Sequence, residues 1–482
     1  MADPGQNPAR SFRGGAGFCG LLATALLLPS CTVGPDYHPA SSGELQVPER
    51  YNAALDTEAA AVDLRTWWTS FDDPALSGLI ASALAANIDI DAARARLRSA
   101  RASVKGTQGV LLPTIDASAG SNKAANITGS GGDSESYRVG FDASWEADLF
   151  GGNKRLIEAA RAGSDAAAAD LHAVQLSIAA ELALNYIDAR LAQVSLAHAR
   201  TNLGYQDDTV QIAGWRVQAG LVSSLDLEQS RVLRAQTAAS IPPLETRFAA
   251  AANRIAVLTG RAPGAVSALL DTVQPIPLGP DAIETGLPAE LLQRRPDVIA
   301  AERRLAAETA RIGVATAQLY PALRLSGSLT SPSLTLGGIG GSIVGGLASA
   351  ITAPIFQGGQ IRAQIEGQRA TTDAAFANYR QTVLVALEDV ENAMVALRNA
   401  RLREEALTVA EGSAGTSLLY ARSQYRAGLI DFQTLLESER SLLSVQDART
   451  TARAARATAL VQLYKALGGG WGDDALIPQV RP

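Results

Sequence analysis

The longest stretches of this chain place apolar residues in a four-three rhythm. Val383, Leu387, Val390, Met394 and Leu397 follow it in the second half, and Leu184, Ile187, Leu191 and Val194 in the first. That spacing keeps one stripe of a helix apolar, as in a coiled-coil seam or a simple antiparallel bundle. Proline is absent between Pro113 and Pro242 and between Pro354 and Pro478. Because proline breaks helix interiors, these gaps permit unusually long helices. Gln360 to Arg426 reads as one helix, on the order of 100 Å long at 1.5 Å per residue.

Between these segments the rhythm changes to two. Tyr137, Val139, Phe141, Ala143, Trp145, Ala147 and Leu149 alternate with Arg138, Gly140, Asp142, Ser144, Glu146 and Asp148. One face is apolar and carries large aromatics; the other is polar and mostly acidic. This predicts a strand. Just upstream, Ile115, Ala117 and Ala119 alternate with Thr114, Asp116 and Ser118. Residues 122–136, rich in glycine and serine, read as a mobile loop. In the second half Leu323, Leu325 and Leu329 alternate with Arg324, Ser326 and Ser328, and Ile343, Leu347, Ile351 and Ile355 share a face of a fourth strand. The predicted strands cover about 114–121, 137–149, 322–330 and 343–356. The uncharged stretch between Arg324 and Arg362 is interrupted by Pro332, Pro354 and many glycines. It reads as strands and a loop, not a membrane helix.

The two halves repeat one another at an offset of about 208 residues. Asp89, Ala92, Ala93, Arg96 and Leu97 recur as Asp297, Ala300, Ala301, Arg304 and Leu305; Pro113 recurs as Pro321. Phe150-Gly151-Gly152 has its echo in Phe356-Gln357-Gly358-Gly359, and Ala219-Gly220-Leu221 in Ala427-Gly428-Leu429. Each half therefore reads helix, strand, loop, strand, long helix, tight turn, helix. The expected division is a signal peptide over 1–30, a first repeat with an N-terminal anchor over 31–264, and a second repeat with a C-terminal segment over 265–482.

Strands of about 9–11 residues with one apolar and one polar face match a transmembrane β-barrel, although a half-buried soluble sheet gives the same alternation. In lipid every backbone group must be paired, so strands there close into a barrel. Four strands cannot close; barrels need about eight or more. The membrane reading therefore requires copies of the chain to associate, with the long helices outside the bilayer.

The N-terminus adds a compartment. Arg10 and Arg13 precede an apolar run over 16–28, too short to span a bilayer as a helix. Leu28-Pro29-Ser30-Cys31 resembles a bacterial lipobox, in which Cys31 is lipidated and becomes the first mature residue; an ordinary signal with an unmodified cysteine fits the same residues. Thr32, in place of Asp, favours the outer membrane. The other cysteine, Cys19, lies within the signal, so no thiol remains for a disulfide, a metal or a nucleophile. Three histidines, His38, His172 and His198, offer little to acid–base or metal chemistry. A net charge of −6 gives no basic field for nucleic acid. Catalytic residues, cofactor and metal are expected to be absent. Gly337 to Gly346 contains Gly-x-Gly but lacks the following helix and acidic partner of a nucleotide site.

These residues are similar to the TolC-like outer-membrane efflux proteins, in the lipoprotein branch typified by OprM and NodT. The resemblance rests on Cys31 to Tyr37, on Trp67-Trp68, Phe71, Asp73-Pro74 and Leu76, on Arg295-Pro296-Asp297 through Leu305 with Tyr320-Pro321, and on Pro354 to Gly359. It implies mixed α and transmembrane β architecture: a homotrimer with a twelve-stranded β-barrel, four strands per chain, above a long α-helical periplasmic barrel. It implies an outer-membrane lipoprotein, met in the periplasm by an adaptor and fed by an inner-membrane pump, that passively exports drugs or other small toxic compounds. The adaptor would meet the helix turns at Gly220-Leu221 and Gly428-Leu429. Matched from the turn glycines, Glu437 and Asp226 take the positions of acids that ring the closed periplasmic gate; the family usually has Asp at the former, and its second acid position holds Thr434 here. Facing carboxylates would repel one another and attract cations. An exposed helix face is the other reading of Glu437. Two further classes stay open: a lipid-anchored periplasmic coiled-coil scaffold and a protein-secretion duct.

Overall fold

A computed structural model describes residues 32–53, 62–125, 127, 134–281 and 283–471. The signal peptide and the lipidation site Cys31 lie outside the described residues. The main elements, in chain order, are α1 (Pro74–Ala86), α2 (Ile88–Gln108), β1 (Thr114–Ala124), β2 (Ser134–Ala147), α3 (Gly152–Gln218) and α4 (Ser224–Leu258). The second half gives α5 (Pro296–Ala317), β3 (Ala322–Ser333), β4 (Val344–Thr352), α6 (Gln360–Arg426) and α7 (Phe432–Ala466). Helices α3 and α6 are both 67 residues long, and α4 and α7 both 35. The duplicated sequence thus folds into duplicated elements.

The chain forms two compact units, and both halves contribute to each. One contains the strands; the other contains most of the helical residues. In the first, the four strands form one antiparallel sheet in the order β1-β2-β3-β4. The strand limits depart from the alternation. β1 and β2 extend into the predicted loop, because the ladder continues through Lys123 opposite Glu135, an ion pair at 2.8 Å. β2 ends at Ala147, not Leu149, where Leu149 N–H turns back to the Ala147 carbonyl. β4 ends at Thr352, not at 356, as Pro354 brings no N–H to a ladder. β3 tolerates Pro332 because it lies past Thr330, the last β3 residue paired with β4.

In the core of the helical unit Trp67 is fully buried and stacks on Tyr464 at 5.2 Å. Asp73 caps α1 by accepting the Ala75 and Leu76 N–H groups, and its other oxygen accepts the Tyr186 hydroxyl at 2.7 Å. Burial first, and the Asp73 bond second, push the Tyr186 phenol up to about 12. Arg295 donates to Asp297 and Asp389 and to the Ala466 carbonyl near the end of α7. The Arg-Pro-Asp sequence thus serves as a clamp between helices.

Ion pairs set the register of each long hairpin. Glu181–Arg254, Asp188–Arg247 and Asp207–Arg234 link α3 to α4, while Glu404–Arg456, Glu411–Arg449 and Arg422–Glu439 link α6 to α7. The exposed ones contribute about 0–1 kcal/mol each, so their value lies in alignment. Those of the first hairpin bracket Pro242 and Pro243, which α4 runs through instead of ending there. By length and composition Pro74–Leu111 and Gly152–Gln218 could each cross a membrane. Their apolar side chains are used inside the protein instead: Leu76, Ile80, Leu182 and Ile187 are buried.

Candidate functional site

The register carries the alternation across the whole sheet. Ile115 faces Ala143, Ala117 faces Phe141, and Ala119 faces Val139. Phe141 in turn faces Leu329, Trp145 faces Leu325, and Leu323 faces Ile351. All lie on one face, since a strand presents alternate residues to the same side. The opposite face carries Thr114, Asp116, Ser118, Asp142, Ser144, Glu146, Arg324, Ser326 and Ser328. There Ser118 donates to Asp142 at 2.8 Å, and Arg324 pairs with Glu146 at 3.0 Å.

The apolar face is bare. Phe141 is 56% exposed and Leu347 95%. Tyr137 and Trp145 are eight positions apart on it, about 27 Å along a strand at 3.4 Å per residue. With the tilt of a barrel strand this is close to the apolar band of about 25 Å between aromatic girdles. The Trp145 indole donates to the Leu111 carbonyl at 2.9 Å, so its polar edge is satisfied at the foot of the sheet. Among the described residues, neither β1 nor β4 has a second strand neighbour.

The chain after residue 31 is tied to this foot. Val33 N–H donates to the Phe150 carbonyl at 3.1 Å. Arg155, only 4% exposed, donates to the Val33 and Gly34 carbonyls, to Asp36 and to Glu158. Gly34 holds a φ of +91° against Gly313. The sequence marked Gly34 only as part of a motif; its reason is this backbone contact.

At the turn after α3, Gly220 has a φ of +72°, its N–H donates to the Val217 carbonyl, and Leu221 N–H reaches the Arg216 carbonyl. The turn after α6 repeats this: Gly428 at +72° bonds Tyr425, and Leu429 bonds Gln424. Both are Schellman closures, which need the left-handed conformation that glycine adopts without penalty. Leu221 and Leu429 are left largely exposed. Replacing Gly428 by Ala should cost about 1–2 kcal/mol; faster protease nicking of the turn, relieved by Asn in place of Ala, checks it.

The acids near the turns differ in employment. Asp226 is engaged in a capping box with Ser223, each side chain bonding the other's backbone N–H. In the second hairpin the cap is Asp431, whose carboxylate accepts from the Thr434 amide and hydroxyl; these bonds hold it below the ordinary carboxylate range. Glu437 is exposed, and no hydrogen bond or ion pair engages it among the described residues. Nearby lies a feature that sequence reading missed: Glu439, two residues on, is buried and paired with Arg422 at 3.2 Å. The available signal was its spacing from the buried Phe432, Leu435 and Leu436, which sets the acid on the apolar stripe of α7. No group of three or more potential metal ligands occurs among the described residues.

A sheet greasy on one face and open at both edges, on a chain that also supplies two long helical hairpins, defines the class of outer-membrane channel subunits. The family model for outer membrane efflux protein matches residues 79–261 and 287–469, one match in each half. The chain is 34% identical to Nodulation protein T of Rhizobium leguminosarum bv. viciae over 92% of each. It is 32% identical to the pyoverdine export outer membrane protein OpmQ of Pseudomonas aeruginosa, covering 94% of this chain and 97% of that one. The solved outer-membrane channel OprN superposes with a TM-score of 0.85 at 36% identity, over 92% of this chain and all of that one. The chain belongs to the outer membrane efflux protein family. Its members are channel or duct proteins of the outer membrane.

Proposed function

We propose that three copies join β4 of one chain to β1 of the next, closing a twelve-stranded barrel that is the exit duct of a tripartite efflux system. The observation that carries this is the unbroken register: one greasy face, one polar face, and an open strand at each edge. Closure then pairs every edge group, turns the greasy face to lipid and leaves the Ser/Thr-rich face around the aqueous path. The helices lie in the periplasm, with residues 31–264 and 265–482 as the two repeats. Cys31 bears the lipid anchor. Gly220-Leu221 and Gly428-Leu429 meet a periplasmic adaptor, and an inner-membrane pump supplies the energy. The cargo is small toxic compounds or drugs, chosen by the pump. No residue of the chain does chemistry, and no cofactor is needed.

Glu437 and Asp226 form the acidic ring of the closed aperture. Glu437 is the better placed, since its carboxylate is free of helix capping. The test is conductance of the purified protein in planar bilayers. We expect a small, cation-preferring channel whose conductance rises when Glu437 is replaced by Ala. Absence of conductance from a folded trimer would overturn the duct; unchanged conductance in the variant would overturn the gate residue.

A further inference from the structure

Two separate clusters gather many of the buried apolar residues of the helical unit. The larger holds Trp67, Leu182, Val390, Leu397 and Leu460. The smaller, beside the turns, holds Ala213, Leu233, Tyr425, Phe432 and Leu436. At the edge of the smaller cluster, which also takes in Leu418 and Ala421, α3, α6 and α7 contribute polar residues to a cavity of about 390 Å³ that includes His198, Tyr205, Gln206, Arg422, Glu439 and Gln446.

Several groups in this belt are buried without a partner among the described residues: Glu439 Oε2, both ends of the Gln206 amide, and His198 Nδ1. Glu439 is 6% exposed and Gln206 4%. Arg422 satisfies only one oxygen of Glu439, at 3.2 Å. The Arg422 guanidinium also lies 5.1 Å from the Tyr205 ring, so the pair on α6 and α7 reaches α3. Arg216 over Tyr425, at 4.4 Å, is the second bridge between the hairpins. Dry apolar packing resists sliding, because every shift opens voids. A belt of unsatisfied polar groups resists less, since water can enter and satisfy them.

We propose that this belt is a proton-sensitive hinge for the small-core end of the hairpins, with Glu439 as the sensing carboxyl. The titratable and charged groups that line the same cavities as Glu439 are His198, Tyr205, Asp208 and Arg216 from α3 and Arg422, Tyr425 and Arg426 from α6. A carboxylate with one oxygen dry and unpaired is costly. A proton on that oxygen removes the charge and creates a donor. Burial raises the Glu439 carboxyl above its ordinary range, and this outweighs the opposing Arg422. A packed belt therefore binds the proton more tightly than a parted, hydrated one. Its stabilisation is full at low pH and is lost as pH rises through the raised value. Acid holds the end packed; ionisation loosens it.

The consequence for conduction rests on the duct reading, but the hinge itself does not. Amide hydrogen exchange of the full-length detergent-solubilised protein, corrected for the intrinsic rate, tests it over a pH series that starts in the ordinary carboxylate range and climbs above it. Over residues 415–442 the native chain should lose protection as pH rises, by up to about tenfold per pH unit across the transition. Glu439→Gln, a neutral mimic, should stay protected with a flat profile. Arg422→Gln should move the transition to higher pH. Equal pH slopes in the native chain and Glu439→Gln, or a transition moved to lower pH by Arg422→Gln, would overturn the hinge.

Discussion

Replacing Phe141 by Arg should remove most of the membrane-inserted, assembled protein. Phe141 lies mid-strand on the apolar face, between Ala117 and Leu329, with more than half its surface bare. In a barrel that surface meets hydrocarbon. Arginine there costs about 2–4 kcal/mol near the bilayer midplane, once per chain and so three times per trimer. Ser326 supplies the control. It lies on the same sheet, opposite Ser144, with its side chain on the polar face. Arg at that position meets water and should assemble normally. The readout is the oligomer band on unheated gels together with recovery in the outer-membrane fraction. If both variants assemble alike, the apolar face does not contact lipid.

Adding a single methyl group at Gly34 should detach the segment that leads from the anchor position. A Cβ there would stand 2.4 Å from the Gly313 Cα and 2.9 Å from its nitrogen. Both are backbone atoms of α5 and cannot swing aside. The left-handed φ adds about 1–3 kcal/mol for any residue but glycine, and overpacking about 1–3 kcal/mol more. The cheapest relief is to lift the strap, which forfeits the Arg155 bonds to Val33, Gly34 and Asp36. We expect cleavage near residues 32–37 by added protease in Gly34→Ala, where the native chain resists. Gly43→Ala, with open space around its Cβ position, should behave as native. Equal resistance in both would mean that the strap tolerates the methyl, and the tight contact with α5 would have no structural consequence.

Much of this protein is written in one dimension because its elements are long and repetitive. The proline gap and the four-three rhythm fix α6 from Gln360 to Arg426, where the structure has it. Alternation from Tyr137 to Ala147 fixes which residues share a face, and pairing preserves those faces across four strands. The turn glycines are legible because no other residue closes a helix in that way so cheaply. Strand ends were less legible, since ladder pairing at Lys123 and Glu135 extends a hairpin that composition alone reads as loop.

What the sequence determined, then, is periodic: which side of each strand is greasy, how far each helix runs, and that the chain carries the plan twice. The tertiary structure alone decided what single residues do. Asp226 became part of a helix cap, Arg155 a clamp on the strap, and Glu439 a buried acid at the edge of the smaller core. Period survives folding because it follows from backbone geometry. The burial and partners of one side chain depend on residues far off in sequence, and only packing brings those together.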